Sequence, residues 1–133
     1  MILVYVIEDN ILQSQALSAQ LSLAGMKFIL PNHFGSIDYQ LQEIRCHQPQ
    51  VILLNPKIKA LDGWEMLSQI SSHNDTRHIP VVGYHHQADG QMAKKFILLG
   101  GKAFYQHNSS TVEAIPKYII KIYTNLQKIH ETI

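Results

Sequence analysis

Residues 49–67, PQVILLNPKIKALDGWEML, contain the segment that decides the fold. Val51 to Leu54 is a short apolar run that Asn55 and Pro56 end, which is typical of a strand buried on both faces of a sheet. Asp62 then opens a segment in which apolar residues recur at helical spacing. This stretch predicts a buried strand, a loop and a helix in direct succession.

The same alternation extends to both ends of the chain. The predicted strands are 2–7, 27–30, 51–54, 80–84 and 102–106. Helical segments follow each of them, the first over 10–24 with Gly25 as its C-cap and the second starting at Ser36. Alternating strands and helices imply right-handed crossovers and a parallel sheet covered on both faces. At 133 residues we expect one α/β domain, 1–133, with the flavodoxin-like doubly wound sheet of order 2-1-3-4-5 and five helices.

A functional site in such a sheet is expected at the carboxyl ends of strands 1, 3 and 4, where the strand order reverses. The residues at those ends are Glu8 and Asp9 after the first strand, Asn55 after the third and His85 after the fourth. The topology therefore selects two carboxylates, a carboxamide and an imidazole as candidate site residues.

Composition excludes several classes of function. Eleven Lys and Arg against ten Asp and Glu give a net charge of +1, so no basic surface for nucleic acid or anionic lipid is expected. No apolar run is long enough to span a bilayer, and the N-terminal MILVYVI has no basic flank of a signal peptide. The single Cys46 excludes an intrachain disulfide, and we expect it to be a helix-packing residue. A cytoplasmic setting follows as the expectation.

Four motifs carry a resemblance to a known family. They are VIEDN at 6–10, the PQVILLN segment with LDGWEML at the family's spacing, IPVVGY at 79–84 and LLGGKAFYQ at 98–106. Their order and spacing over nearly the whole chain resemble the receiver domains of response regulators. Asp62 and Gly63 lie seven and eight residues beyond Asn55, which is the family's spacing from the phosphoacceptor to this pair.

The resemblance implies a role for each site position. In working receivers the acidic pair, here Glu8 and Asp9, holds magnesium, and an aspartate at the position of Asn55 accepts the phosphoryl group. A hydroxyl residue stands at the position of His85, a lysine at that of His107, and a switch aromatic at that of Phe104. A carboxamide is a very poor nucleophile and removes one negative charge from the metal site. The resemblance thus implies a degenerate pseudo-receiver that is not an enzyme and requires no cofactor, with weak binding of Mg²⁺ or a transition metal still open.

Two other functions stay open at this point. Glu8, Asp9, His85 and His107 could form a metal site, or a pH-sensing pocket in which the carboxylates favour protonated histidine. His86 is expected to point to the other side of its strand or loop and is not counted as a ligand. An enzyme of flavodoxin-like fold lacks support, because no Gly-rich phosphate loop follows the first strand.

The first and last helices suggest protein contacts. Residues 115, 119, 122, 126, 129 and 133 are apolar at alternating spacings of four and three. We expect Ile119, Ile122, Leu126 and Ile129 to contact a partner, with about 127–133 extending as a dimer or linker helix. Pro116 predicts that this helix begins late, near Ala114, or kinks, and Asn108 in place of a family proline predicts a trans peptide.

The expected partners are a protein of a bacterial signalling pathway and a second copy of the chain, bound through the fourth helix, fifth strand and fifth helix. The first helix has no charged residue between Ile11 and Met26, which suits either an interface or a plain solvent face.

Overall fold

The computed structural model describes residues 1–87, 89–106 and 112–132, and the side chains of these residues except 112 and 129–132. The strands are β1 (Leu3–Ile7), β2 (Lys27–Ile29), β3 (Val51–Leu54), β4 (Val81–His85) and β5 (Ala103–Gln106). The helices are α1 (Ile11–Leu23), α2 (Ile37–His47), α3 (Gly63–Ser72), α4 (Gly90–Leu98) and α5 (Ile115–Thr132), the last preceded by a 3-10 turn over Val112–Ala114. Each strand lies within one residue of its predicted bounds.

All five strands are parallel and are ordered β2-β1-β3-β4-β5, so the predicted topology is confirmed. Side chains alternate across the sheet, since successive residues of a strand point to opposite faces. Val4 and Val6 pack toward α1 and α5, whereas Tyr5 and Ile7 pack toward α2, α3 and α4. Two helical layers therefore bury both faces, which explains why the strand sequences are apolar throughout.

Short polar side chains set where the helices begin. Asn10, Ser36 and Asp62 each accept a hydrogen bond from the backbone N–H three residues later, at 3.0, 3.1 and 3.1 Å. Helix α1 ends as predicted, because Gly25 adopts a φ of +77° that residues with a side chain rarely take. Cys46 is exposed on α2, so the prediction that it packs against another element is wrong.

The start of α5 agrees with the late start that Pro116 predicts. The α-helix begins at Ile115, directly after the 3-10 turn, so Pro116 occupies its first turn. The backbone N–H groups of a first turn have no intrahelical partner, and the missing N–H of proline costs nothing there. The peptide bond between His107 and Asn108, for which a trans geometry is predicted, lies outside the described residues.

None of the helices in the described part of the chain combines the length and apolar character needed to span a bilayer.

Candidate functional site

The candidate site is a cleft at the carboxyl ends of β1, β3 and β4. It has a volume of about 200 Å³ and is lined by Glu8, Asp9, Asn10, Gln13, Asn55, Lys57, Lys59, His85 and His86. The parallel strands bring together residues that are far apart in the sequence, as the topology predicts. Of the predicted positions, Glu8, Asp9, Asn55 and His85 meet here, and His107 lies outside the described residues.

Glu8 is the most deeply buried carboxylate of the cleft, with 6% of its surface exposed. Its Oε1 accepts a hydrogen bond from the Tyr84 hydroxyl at 2.7 Å. The Asn55 Nδ2 lies 3.2 and 3.3 Å from the two Glu8 oxygens, and the Asn10 backbone N–H donates to Oε2 at 3.3 Å. A buried carboxylate needs such donors to offset its lost hydration, and here the protein itself supplies them.

Tyr84 is the site residue that sequence reasoning missed. Its ring belongs to the apolar core beside α1 and α5, and its hydroxyl reaches the buried carboxylate of Glu8. Burial and the negative charge of Glu8 raise the pKa of Tyr84 well above the ordinary value, so the hydroxyl stays protonated and keeps donating. A tyrosine in an apolar strand gives no sequence signal that separates this role from ordinary packing.

The orientation of the Asn55 amide is fixed from both sides. Its Oδ1 accepts a hydrogen bond from the Lys57 backbone N–H at 3.0 Å, while its Nδ2 faces the Glu8 carboxylate. The reverse orientation would set the amide oxygen against the carboxylate and the amide N–H groups against another donor. Asn55 therefore presents hydrogen atoms, and not a lone pair, to the centre of the cleft.

Asp9 is held by the loop that follows β3. Its Oδ2 accepts hydrogen bonds from the backbone N–H groups of Lys59 and Ala60, at 2.7 and 2.9 Å. Such bonds between a carboxylate and backbone donors are strong because the acceptor is charged. The carboxylate therefore fastens this loop to the end of β1.

The side chains of the cleft are arranged for hydrogen bonds among themselves and not around a divalent metal ion. A magnesium site is octahedral and is built from oxygen ligands, usually one or two carboxylates together with several waters. Here Asn55 turns its NH₂ group toward Glu8, and Glu8 and Asp9 already accept hydrogen bonds from the protein. Among the described residues no three His, Cys, Asp or Glu side chains come close enough to hold a metal together.

His86 lies beside His85, which contradicts the prediction that it points away. The two ring centroids are 4.4 Å apart, and both side chains line the cleft. Strand β4 ends at His85 and the chain turns at His86, so the alternation of a strand no longer applies there.

The pH-sensing hypothesis predicts a raised pKa for His85, which is the wrong direction. Partial burial, the neighbouring His86 and the Lys57 charge lower the pKa of His85 below its ordinary value. Its Nδ1 also accepts a hydrogen bond from the Gln87 backbone N–H at 3.1 Å, which leaves the ring proton on Nε2. The carboxylates do not favour the charged ring as expected, since their hydrogen bonds go to Tyr84, Asn55 and the loop backbone.

We expect His85 to titrate below the ordinary histidine value of about 6.5. Because the pKa of His85 is lower in the folded chain than in the unfolded one, any stability that the ring contributes is fully present above the unfolded pKa of about 6.5. That stability is lost as the pH falls through the folded pKa. Titration of the histidine side chains by NMR between pH 4 and 8, with His85→Gln to assign the signal, measures this directly. A pKa of His85 above the ordinary value would contradict it.

Phe104 is a packed aromatic residue in β5. Its ring centroid lies 5.1 Å from that of Phe96, on the side of the sheet facing α2, α3 and α4. Tyr105 packs on the opposite side, as predicted, and stacks on Tyr118 at 3.9 Å between centroids.

The apolar stripe of α5 is used largely by the core. Ile119 and Ile122 are 0% and 8% exposed and pack on the sheet, so they have no free surface for a partner. Leu126 is partly buried against the same core, and the side chain of Ile129 lies outside the described residues. A stripe with this spacing covers a sheet as well as it covers a second helix, so the spacing alone does not say which surface it meets.

No family model matches this sequence and no curated protein matches it either, whereas solved structures do match the fold. The signal receiver domain of a DNA-binding response regulator from Colwellia psychrerythraea superposes with a TM-score of 0.74 at 18% identity, covering 91% of this chain and 99% of the other. NtrX from Brucella abortus gives a TM-score of 0.80 at 15% identity over 99% of this chain and 29% of that longer chain.

A third similar structure is the receiver domain of a sensor histidine kinase from Pseudomonas aeruginosa, described with a magnesium ion coordinated in its active-site cleft. Its TM-score is 0.71 at 16% identity, over 90% of this chain and 98% of that one. These likenesses establish one conclusion, which is that the chain has the fold of response-regulator receiver domains.

Proposed function

We propose that this chain is a pseudo-receiver, a domain with the receiver fold that binds a protein partner without being phosphorylated. The observation that carries the proposal is the Asn55 amide, which donates to the Glu8 carboxylate at the position where the fold would place a phosphoacceptor. Attack on a phosphoryl donor needs a free oxygen lone pair with carboxylate character. Asn55 lacks the carboxylate character, because its only side-chain oxygen belongs to a neutral amide, and that oxygen accepts a hydrogen bond from the Lys57 N–H.

The state of the domain is set by internal contacts in this proposal. The hydrogen bonds from Tyr84 and Asn55 to Glu8 replace the bonds that a metal ion would make, so no cofactor is required. Phe104 packs on Phe96, with no hydroxyl residue at position 85 to couple it to the cleft. The interaction surface is then always available, and control comes from the abundance of the chain or of its partner.

The surface formed by α4, β5 and α5 is the proposed partner site, in a cytoplasmic pathway of bacterial two-component type. Ile97 and Leu98 of α4 are 49% and 85% exposed, and with Ala93 and Lys94 they line a groove of about 470 Å³. Exposed apolar groups that lie together mark interaction sites more often than isolated ones do. Helices α4 and α5 together contain five lysines and one glutamate, which favours a partner with apolar and acidic side chains.

The proposal predicts that the chain does not take up a phosphoryl group from acetyl phosphate or phosphoramidate with Mg²⁺. The readout is the intact mass after incubation, with a receiver that has an aspartate phosphoacceptor treated in parallel to show that the donor is active. Unchanged mass is the expected result, since Asn55 offers no nucleophile. A magnesium-dependent gain of one phosphoryl group on this chain would overturn the proposal.

A further inference from the structure

Helix α1 exposes an apolar face opposite the face that it packs on the sheet. Leu17 and Leu21 are buried, whereas Ile11, Leu12 and Leu23 are 71%, 78% and 80% exposed. A helix at the surface of a domain normally has charged or polar residues on its outer side. Helix α1 has no charged residue at all, so its outer surface is only weakly hydrated.

The exposed apolar stripe of α1 has the same sequence of residue types when read from either end of the helix. It consists of Leu12, Ala16, Ala19 and Leu23, which at 3.6 residues per turn fall within an arc of about 60°. Their spacings of four, three and four are symmetric about the midpoint between Leu17 and Ser18. One glutamine lies on each side of this stripe, and the two, Gln15 and Gln20, are symmetric about the same midpoint.

A two-fold axis through that midpoint pairs like with like. In a two-fold interface, if residue i contacts residue j, then j of the first copy contacts i of the second. Two antiparallel copies of α1 would therefore bring Leu12 against Leu23 of the partner subunit, and Ala16 against Ala19 of the partner subunit. The alanines at the centre allow the helix axes to approach to about 8 Å, while the leucines close both ends.

Charge also favours α1 over α4 and α5 as the contact between copies. A two-fold axis near α4 or α5 would bring their lysines close to their own counterparts, and like charges that meet in an interface disfavour association. Across α1 no such repulsion arises, since the flanking side chains are glutamine and serine.

We infer that two copies of this chain associate through an antiparallel α1–α1 contact, in which Ala16 and Ala19 form the centre and Leu12 and Leu23 the ends. This inference places the contact between two copies on α1, in place of the surface of α4, β5 and α5 that the sequence analysis expected, and it does not depend on whether the chain is phosphorylated. It leaves the α4–β5–α5 surface free for the partner protein. The contact of one helix is small, so the dimer is a reversible one.

The test uses two variants of the full chain with opposite charges. One carries Ala16→Glu and Ala19→Glu, and the other carries Ala16→Lys and Ala19→Lys. Both positions are exposed in a helix, and glutamate and lysine are good helix formers, so thermal melts should match the unmodified chain. Gln42→Glu on α2 is the matched control, because it adds a negative charge at an exposed position of a helix that belongs to neither surface.

Sedimentation velocity over a concentration series gives the result. The unmodified chain and Gln42→Glu should show the same monomer–dimer equilibrium, and each double variant alone should raise the dissociation constant about tenfold or more. An equimolar mixture of the two double variants should associate again, because each position that carries glutamate in one variant then faces a position that carries lysine in the other.

Four outcomes would overturn the inference. They are an unmodified chain that stays monomeric up to about 1 mM, a double variant that dimerises as well as the unmodified chain, a mixture that associates no better than its components, or loss of the dimer in Gln42→Glu. None of these involves the phosphoryl-transfer experiment, so the α1 contact and the proposed function can fail separately.

Discussion

Replacing Asn55 by aspartate is expected to lower the melting temperature by about 10 °C in buffer without divalent cations. The substitution removes the Nδ2 hydrogen bonds to Glu8 and places a third carboxylate beside Glu8 and Asp9. A lost hydrogen bond to a buried charged group costs about 1.5–3 kcal/mol, and repulsion between carboxylates adds to it. The free energy of unfolding should therefore fall by about 3 kcal/mol, which a thermal or urea melt measures.

Asn55→Ala is the matched control, because it removes the same hydrogen bonds without adding a charge. Only Asn55→Asp should respond to Mg²⁺, since three carboxylates form the kind of oxygen-rich site that this ion needs. Each tenfold rise in Mg²⁺ above its dissociation constant should then add about 1.4 kcal/mol to the stability of Asn55→Asp and nothing to that of Asn55→Ala. An Asn55→Asp chain as stable as the unmodified one without metal would show that the amide does not stabilise the cleft.

Phe96→Ala is expected to cost about 3–5 kcal/mol of stability and to lower the melting temperature by about 10–20 °C. The ring is fully buried between α4 and the sheet, 5.1 Å from Phe104 and 6.3 Å from Trp64 between centroids. Gly83 of β4 leaves room for it, because a Cβ there would lie 2.5 Å from the ring. The closely packed neighbours cannot collapse fully into the space that alanine leaves.

Leu98→Ala is the control for Phe96→Ala on the same helix. Leu98 is 85% exposed, so its truncation should change the free energy of unfolding by no more than about 0.5 kcal/mol. Equal effects of the two substitutions in urea melts would mean that Phe96 does not anchor α4 to the sheet.

The sheet order was predictable because its signals are local and repeated. Each strand is an apolar run ended by polar or proline residues, and each of the helices α1, α2 and α3 begins at a side chain that can cap it. Parallel crossovers of one hand then leave few possible arrangements. The same topology brought Glu8, Asp9 and Asn55 to one edge of the sheet without any information about their side chains.

The electrostatics of the cleft was not predictable in this way, because it depends on which donor reaches which acceptor. Tyr84 has the sequence character of a core residue, and only its position in β4 places the hydroxyl against Glu8. Because such donors already satisfy the carboxylates, burial and the neighbouring His86 and Lys57 decide the pKa of His85. The pKa is lowered, whereas the sequence led us to expect that it would be raised. Spacing likewise could not assign Ile119 and Ile122 to the core, since a sheet and a partner helix call for the same stripe.

The hydrogen bonds from Asn55 and Tyr84 to Glu8 also bear on how this sequence can evolve. For the pseudo-receiver proposed above, a mutation of Asn55 to aspartate would lower stability without divalent cations, while His85 and His107 would still supply neither the hydroxyl nor the lysine of a working receiver. Natural domains have only a narrow margin of stability, so selection would remove that intermediate. For the proposed pseudo-receiver, selection is therefore expected to keep the Asn55 amide while the binding surfaces diversify.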